Sequence, residues 1–199
     1  MNQALVLAGV AAAAYLLGSI PTGLLLARRR GVDIREQGSG NIGATNVART
    51  LGRKLGAVVL VLDAAKGALA TLAAAALHHH HGVTAWAITA AGVAAVAGHC
   101  FPIWLRLRGG KGVATALGVM LVAAPLATGA AVLIFLALYA TFRVVSIGSM
   151  AACAAMPLLA WLLGRPAPVI AAAGAIAAMV LVRHQGNLRR LLAGRENRL

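Results

Sequence analysis

The chain has 199 residues and a net charge of +14, and 61% of its residues are hydrophobic while only 11% are charged. A soluble domain is about 45–50% apolar and about 25% charged, so the composition excludes an ordinary soluble protein. It predicts an all-α integral membrane protein that forms one polytopic domain over residues 1–199. The positive charge favours contact with membrane lipids, and nucleic-acid binding is not expected because no soluble basic module is present.

The first apolar run covers residues 4–27, which is enough for a bilayer that requires about 20 apolar residues. The sequence Gly18-Ser19-Ile20-Pro21-Thr22-Gly23 within it predicts a kink in its second half. The polar stretch that follows is rich in glycine and amide side chains over residues 38–49, with Ile42 and Val47 among them. This mixture predicts a segment that folds back onto the membrane face and lines a site.

A second span is predicted over residues 55–77, and Asp63 and Lys66 interrupt it. At 1.5 Å per residue, Asp63 lies roughly 12–13 Å into the helix, well inside the hydrocarbon. Their i, i+3 spacing places both charges on one face, where they can neutralise each other. Such a pair is typical either of a functional site or of a contact that fixes helix packing, and the sequence leaves both open.

The histidines at positions 78–81, followed by Gly82, predict an outer turn. Adjacent histidines do not converge on one metal ion as spaced ligands do. A third span over residues 83–98 ends at His99, and a glycine-rich basic segment follows over residues 105–115. Glycines let backbone N–H groups curl around an anion, and a helix that starts near Val113 would add its positive dipole end. We interpret this segment as a phosphate cradle.

The apolar run over residues 113–142 is too long for one straight span and has Pro125 and Gly129 near its middle. Two short spans instead of one place almost all the cations on the same side of the membrane. With further spans over residues 146–163 and 167–182, the prediction is seven transmembrane helices, with the N-terminus outside and the C-terminus cytoplasmic. The tail over residues 183–194 predicts a short interfacial helix that Asn187 caps and Gly194 stops.

Three polar segments then share the cytoplasmic face, over residues 38–49, 99–115 and 183–198. Their cations, amides and glycines suit the binding of phosphate groups, and the scarcity of spaced carboxylate and histidine ligands argues against a metal site. A membrane transporter of a phosphorylated anion is the alternative, which the kinked spans and the Asp63–Lys66 pair would suit. A transport path would favour polar residues through the membrane, however, whereas here they concentrate on one face.

The same segments resemble the three signature motifs of the bacterial acyl-phosphate–glycerol-3-phosphate acyltransferase family (PlsY). The matching stretches are Ser39-Gly40-Asn41-Ile42-Gly43-Ala44-Thr45-Asn46-Val47-Ala48-Arg49; Gly98-His99-Cys100-Phe101-Pro102 with Gly109-Gly110-Lys111-Gly112-Val113-Ala114-Thr115; and Gly186-Asn187-Leu188-Arg189-Arg190-Leu191 with Gly194 and Glu196. Trp104 and Leu107 stand where the family usually has phenylalanine, and Arg108 where it often has lysine.

The resemblance implies an enzyme that moves a fatty acyl group from acyl phosphate to the sn-1 hydroxyl of glycerol 3-phosphate, in the first acylation of phospholipid synthesis. The products would be lysophosphatidic acid and inorganic phosphate. It also implies a multi-pass protein of the bacterial cytoplasmic (inner) membrane, an active site that faces the cytoplasm, and a functional link to an enzyme that produces acyl phosphate. No cofactor is expected, because acyl phosphate is already activated.

The expected proton acceptor is the substrate itself, because the His-x4-Asp pair of other glycerolipid acyltransferases is absent: Trp104 occupies the position of the aspartate relative to His99. His184 is a further candidate base or hydrogen-bond donor. The predicted catalytic residues are Ser39, Lys111 and His184. The predicted substrate-binding residues are Asn46, Arg49, Arg108, Gly109, Gly110, Gly112 and Asn187. The predicted supporting residues are Asp63, Lys66, His99 and Glu196.

Overall fold

The structure, a computed structural model, describes residues 2–197, so Arg198 at the end of the third polar segment lies outside the described residues. All regular structure in this part of the chain is helical, as predicted. The α-helices are α1 (Gln3–Gly18), α2 (Thr22–Arg28), α3 (Ala44–Leu51), α4 (Arg53–His81), α5 (Trp86–Cys100), α6 (Val113–Ala123), α7 (Pro125–Phe142), α8 (Val145–Leu162), α9 (Ala167–Arg183) and α10 (Gln185–Leu192).

The first apolar run is broken between α1 and α2, which confirms the predicted kink. Pro21 stands immediately before α2, and in the broken turn the backbone oxygen of Ile20 accepts the N–H of Thr22 over 3.0 Å instead of a helical N–H four residues on. The Lys66 ammonium from α4 donates to this oxygen over 3.0 Å. The break is therefore stabilised by a side chain from the second span.

Helix α4 extends over 29 residues and includes all four histidines, so the prediction of a turn at positions 78–81 is wrong. The preceding alanine-rich run favours helix, and nothing in the sequence stops it before Gly82. Gly82 then ends the helix with a left-handed φ of +61°. His78 bonds through Nδ1 to the backbone oxygen of Val83 over 2.6 Å, which closes the turn.

The long apolar run of residues 113–142 is divided, as predicted, because Ala124 leaves the helical conformation and Pro125 starts α7. Helix α6 has only 11 residues, about 16 Å at the usual rise per residue. By length and composition, five helical segments within residues 2–197 can cross a membrane, or six if the bent pair of α9 and α10 counts as one. The protein is an all-helical integral membrane protein.

One cavity lies at one end of the helix bundle. Whether a helix begins or ends beside this cavity shows the direction in which it runs. Residues at the end of α5, before α6, at the start of α8 and after α9 all line it, among them His99, Lys111 and Ser146. The chain therefore leaves this end of the bundle along α6 and returns to it along α7. At the other end, the guanidinium of Arg165 donates to the backbone oxygen of Ala123 over 2.7 Å.

Small residues allow the helices near the cavity to pack closely. A Cβ atom on Gly67 would overlap the backbone oxygen of Thr115, and one on Gly118 would overlap that of Ala64. Helices α4 and α6 thus pack backbone against backbone, as glycine-rich membrane helices do. This contact brings Asp63 on α4 close to the segment that precedes α6.

Candidate active site

A polar cavity of about 340 Å³ lies at the end of the bundle where the three polar segments meet. It brings together side chains that are far apart in the sequence. This agrees with the prediction that the three polar segments share one face of the protein. Its polar and charged lining includes Ser39, Asn41, Thr45, Asn46, Arg49, Asp63, His99, Lys111, Ser146, Ser149, His184, Asn187, Arg190, Glu196 and Asn197.

The first polar segment is organised by the side chain of Asn46, which is 1% exposed. Its oxygen accepts the N–H of Ser39 over 2.9 Å, and its nitrogen donates to the backbone oxygens of Gln37 and Asn41, each over 2.9 Å. These bonds occupy the amide, so Asn46 shapes the loop that presents Ser39, although substrate binding was predicted for it. Arg49, on the last turn of α3, is exposed and lines the cavity.

Gly109 and Gly110 do not offer the N–H groups that the predicted phosphate cradle requires. The N–H of Gly109 donates to the backbone oxygen of Cys100 over 3.1 Å, and that of Gly110 donates to His99 over 3.0 Å. Both glycines are buried behind the cavity, and Arg108 is exposed and outside its lining. The part of this segment that lines the cavity is Lys111, Gly112, Val113 and Ala114, and α6 starts at Val113 as predicted.

Lys111 is a half-buried cation of the cavity. Burial lowers the pKa of Lys111 from 10.5 to about 8, against the opposing effect of the Glu196 carboxylate. The nearby guanidinium groups of Arg190, Arg183 and Arg49 lower it further. Lys111 therefore stands in a region with an excess of positive charge, which a bound anion would relieve.

Asp63 and Lys66 form the predicted pair, with 2.8 Å between Lys66 Nζ and Asp63 Oδ1. The same carboxylate oxygen accepts the hydroxyl of Thr22, and His99 Nδ1 lies 3.5 Å from it without a hydrogen-bond partner among the described residues. Asp63 and His99 also line the cavity. The pair thus joins the broken first span to the wall of the cavity.

The third polar segment places the carboxylate of Glu196 among three donors. Ser146 Oγ donates to it over 2.9 Å and Arg190 Nε over 2.7 Å, and the amide of Asn187 is the third donor. Burial alone would raise the pKa of Glu196, but these hydrogen bonds hold it below its usual value. Asn187 lies inside α10, so its prediction as the N-cap is wrong; His184 occupies that position.

An apolar cavity of about 280 Å³ adjoins the polar one and is lined by residues of α4, α6, α7, α8 and α9. The two share Leu60, Val113, Ala114, Phe135 and Ser149 in their linings. Residues deeper in the bundle, including Met120 and Met156, complete the apolar wall. A basic polar cavity and an apolar cavity therefore lie side by side and share part of their walls.

Six polar or charged residues of the cavity lining were not among the predicted site residues: Asn41, Thr45, Ser146, Ser149, Arg190 and Asn197. The neighbouring Arg183 was not among them either. Ser146 starts an ordinary apolar span. Arg183 was treated only as a topological charge, and Arg190 as a topological charge within the third matching motif. Among residues 2–197, no three His, Cys, Asp or Glu side chains come together in a group that could hold a metal ion.

The family model described as glycerol-3-phosphate acyltransferase matches residues 8–194 of this chain. The chain belongs to this family. The glycerol-3-phosphate acyltransferase of Myxococcus xanthus is 50% identical over 199 residues and is covered, like this chain, over 100% of its length. That of Geobacter metallireducens is 54% identical over 188 residues, with 94% of each chain covered.

Two crystal structures of PlsY, an integral membrane glycerol 3-phosphate acyltransferase, have the same fold. Its glycerol 3-phosphate form has a TM-score of 0.91 at 40% identity, and covers 98% of this chain and 96% of that one. Its lysophosphatidic acid form has a TM-score of 0.89 at 40% identity, with 98% and 95% covered. The motif resemblance and the acyltransferase class are confirmed, and the transporter alternative is not supported.

Proposed function

We propose that this acyltransferase takes a fatty acyl group from acyl phosphate and attaches it to the sn-1 hydroxyl of glycerol 3-phosphate, giving lysophosphatidic acid and inorganic phosphate. The observation that carries the proposal is the pair of adjoining cavities, one basic and polar and the other apolar. An acyl phosphate needs both, because its head is an anion and its tail is a hydrocarbon chain. The glycerol 3-phosphate and lysophosphatidic acid forms of the PlsY relative are consistent with this acceptor and this product.

The charges of the polar cavity support two phosphate-bearing substrates. Arg190 is paired with Glu196, whereas Arg49 and Lys111 have no acidic partner within 4 Å among residues 2–197. In our proposal, Ser39 and Lys111 orient and polarise the acyl phosphate, while Arg49 and Asn187 hold glycerol 3-phosphate. Charged groups fixed in place before the reaction stabilise the charge that moves onto the leaving phosphate.

The reaction balances without a cofactor. The sn-1 hydroxyl oxygen attacks the acyl carbonyl carbon, and the bond between that carbon and the phosphate oxygen breaks. The electron pair of this bond leaves with the phosphate. A phosphate oxygen takes the hydroxyl proton, so that the substrate supplies its own base.

His184 is the alternative proton acceptor. Its Nδ1 lies 2.8 Å from the backbone oxygen of Val180, and because a carbonyl only accepts, Nδ1 carries the hydrogen. The neutral ring therefore keeps its lone pair on Nε2. If phosphate takes the proton, His184→Ala should lower kcat by less than about 10²-fold, since loss of a general base costs about 10²–10⁴-fold. A larger loss in purified, folded protein, not recovered in His184→Gln, would assign the proton to His184.

We also propose seven membrane crossings, by α1 with α2, α4, α5, α6, α7, α8 and α9, with the polar cavity and the C-terminus at the cytoplasmic side of the bacterial inner membrane. The out-and-back course of α6 and α7 supports the count. Three polar segments and most of the cations gather at the cavity end, which supports the orientation. An enzyme that makes acyl phosphate would then act on the same side.

Purified protein in lipid nanodiscs, incubated with palmitoyl phosphate and glycerol 3-phosphate, tests the proposed activity. We expect inorganic phosphate and lysophosphatidic acid to form in equal amounts, and neither to form above background when glycerol 3-phosphate is left out. Phosphate release without lysophosphatidic acid would contradict acyl transfer. Protein-dependent movement of glycerol 3-phosphate into vesicles without acylation would favour transport.

The pH dependence of the reaction should report the protonation of Lys111. Below a pKa of about 8 Lys111 is a cation, and above it the charge that attracts phosphate is lost. We therefore expect kcat/KM to fall as the pH rises through about 8, because kcat/KM follows the ionisation of the free enzyme. The side chain in Lys111→Arg stays charged over the whole pH range, so kcat/KM of this variant should not fall at alkaline pH. The same limb in both proteins would show that another group titrates.

A further inference from the structure

The backbone that precedes Lys111 is held by a residue for which the sequence predicted no role at the site. Arg183, the last residue of α9, donates from Nε to the backbone oxygen of Gly110 over 3.0 Å. Its second nitrogen donates to the backbone oxygen of Gly109 over 2.8 Å. The guanidinium carbon of Arg183 also lies 5.3 Å from the centre of the Phe101 ring. This cation–π contact helps to hold the guanidinium group in place.

The opposite edge of the same two residues is held by α5. The N–H groups of Gly109 and Gly110 donate to the backbone oxygens of Cys100 and His99. A Cβ atom on Gly110 would overlap the Nε2 atom of His99, so glycine is needed for this close approach. The N–H and carbonyl groups of both glycines are therefore occupied, on one edge by helix α5 and on the other by Arg183.

We infer that Arg183 is a positioning residue, which holds the Gly109–Gly110 backbone against α5 and thereby sets the place of the Lys111 ammonium in the cavity. The inference rests on the role proposed above for Lys111. Arginine suits the task because its rigid planar fork can donate to two neighbouring carbonyls at once. Lysine has the same charge but concentrates its donors at one flexible point, so it does not reproduce the fork.

The charged and titratable groups around Lys111 offer a direct readout of its position. They come from several elements: Arg49 on α3, Arg183 on α9, His184, Arg190 on α10 and Glu196 in the tail. Removing Arg183 takes away a cation and loosens the segment toward water. Both changes favour the charged form of Lys111, so its pKa should rise from about 8 toward its ordinary value.

Amine labelling followed over a range of pH measures this without reference to activity. The sequence has three lysines, Lys54, Lys66 and Lys111, so peptide mass spectrometry can follow each one. In Arg183→Gln we expect the midpoint of Lys111 labelling to move to higher pH and its plateau rate to increase, while Lys66 stays protected. Arg189→Gln is the matched control, because it removes one exposed cation of α10 that makes no contact with the glycines.

The kinetic arm compares Arg183→Gln with Arg183→Lys. We expect kcat/KM to fall by about 10–10²-fold in both, since a misplacement of about 1 Å in a site can cost about 10²-fold. The loss should fall mainly on kcat, with Arg189→Gln unchanged. Equal thermal stability of Arg183→Lys and the parent separates this effect from misfolding. If Arg183→Gln does not fold, both arms are run on Arg183→Lys.

The outcomes separate the positioning role of Arg183 from the role of Lys111. Unchanged Lys111 labelling in the Arg183 variants overturns the positioning role. Altered labelling together with parental kinetics keeps the structural contact but contradicts the role of Lys111 in the reaction, and Lys111→Ala would then be active as well.

Discussion

Lys111→Ala should lower kcat/KM for acyl phosphate by about 10²–10³-fold, the usual effect of removing one preorganised group that stabilises transition-state charge. Lys111 is half-buried at the start of α6 in a region of excess positive charge. No other lysine lines the polar cavity within residues 2–197, so none can replace it. Steady-state kinetics with both substrates varied measures the loss, and we expect kcat to fall more than KM rises.

The control for this prediction is Lys111→Arg, which keeps the charge and should retain more activity than Lys111→Ala. The melting temperature of Lys111→Ala should match the parent or exceed it, because a buried cation without an acidic partner is removed. Near-parental kinetics in Lys111→Ala would remove Lys111 from the reaction and contradict its assignment to the phosphate-binding end of the cavity.

Asp63→Asn should lower the free energy of unfolding by about 3–5 kcal/mol, because it leaves the Lys66 ammonium buried without a carboxylate. The side chains of Asp63 and Lys66 are 2% and 5% exposed, so water cannot replace the lost partner. Equilibrium unfolding in mixed detergent micelles measures the change. Thr22→Val, which removes one neutral donor to the carboxylate, should cost only about 1–3 kcal/mol.

The double replacement Asp63→Asn with Lys66→Met is the matched test of this prediction. It removes the unpaired charge as well as the pair, and such replacements of a buried pair are often neutral or stabilising. We expect it to be more stable than Asp63→Asn alone. If the single and double variants have the same free energy of unfolding, the pair contributes little to helix packing. Its role would then be to form the wall of the cavity.

Features that depend on local sequence were predictable. The long apolar run breaks at Pro125 because a proline cannot continue the hydrogen bonds of α6 and therefore starts a new helix. The Asp63–Lys66 contact followed from helical spacing alone. The three polar segments were expected to lie together because their cations were predicted on the same side of the membrane.

Features that depend on which partner a group finds in the folded chain were not predictable. The N–H groups of Gly109 and Gly110 pair with α5, a contact that their own sequence does not encode. Asn187 is a residue type that favours the N-cap, but its amide bonds to Glu196 from inside α10. In the sequence, nothing distinguishes Arg183 from the arginines that follow it. Only the folded chain brings the backbone oxygens of Gly109 and Gly110 beside its guanidinium group.

The break between α1 and α2 also bears on how the chain enters the membrane. Helix α4 alone would bring two charges to the centre of the bilayer, each at a cost of about 2.5–3.5 kcal/mol on insertion scales. Their partners, the Thr22 hydroxyl and the Ile20 carbonyl, belong to the broken span that the ribosome makes before α4. The first span is thus already present when α4 leaves the translocon, and the two can insert as a hairpin whose charges are satisfied on entry.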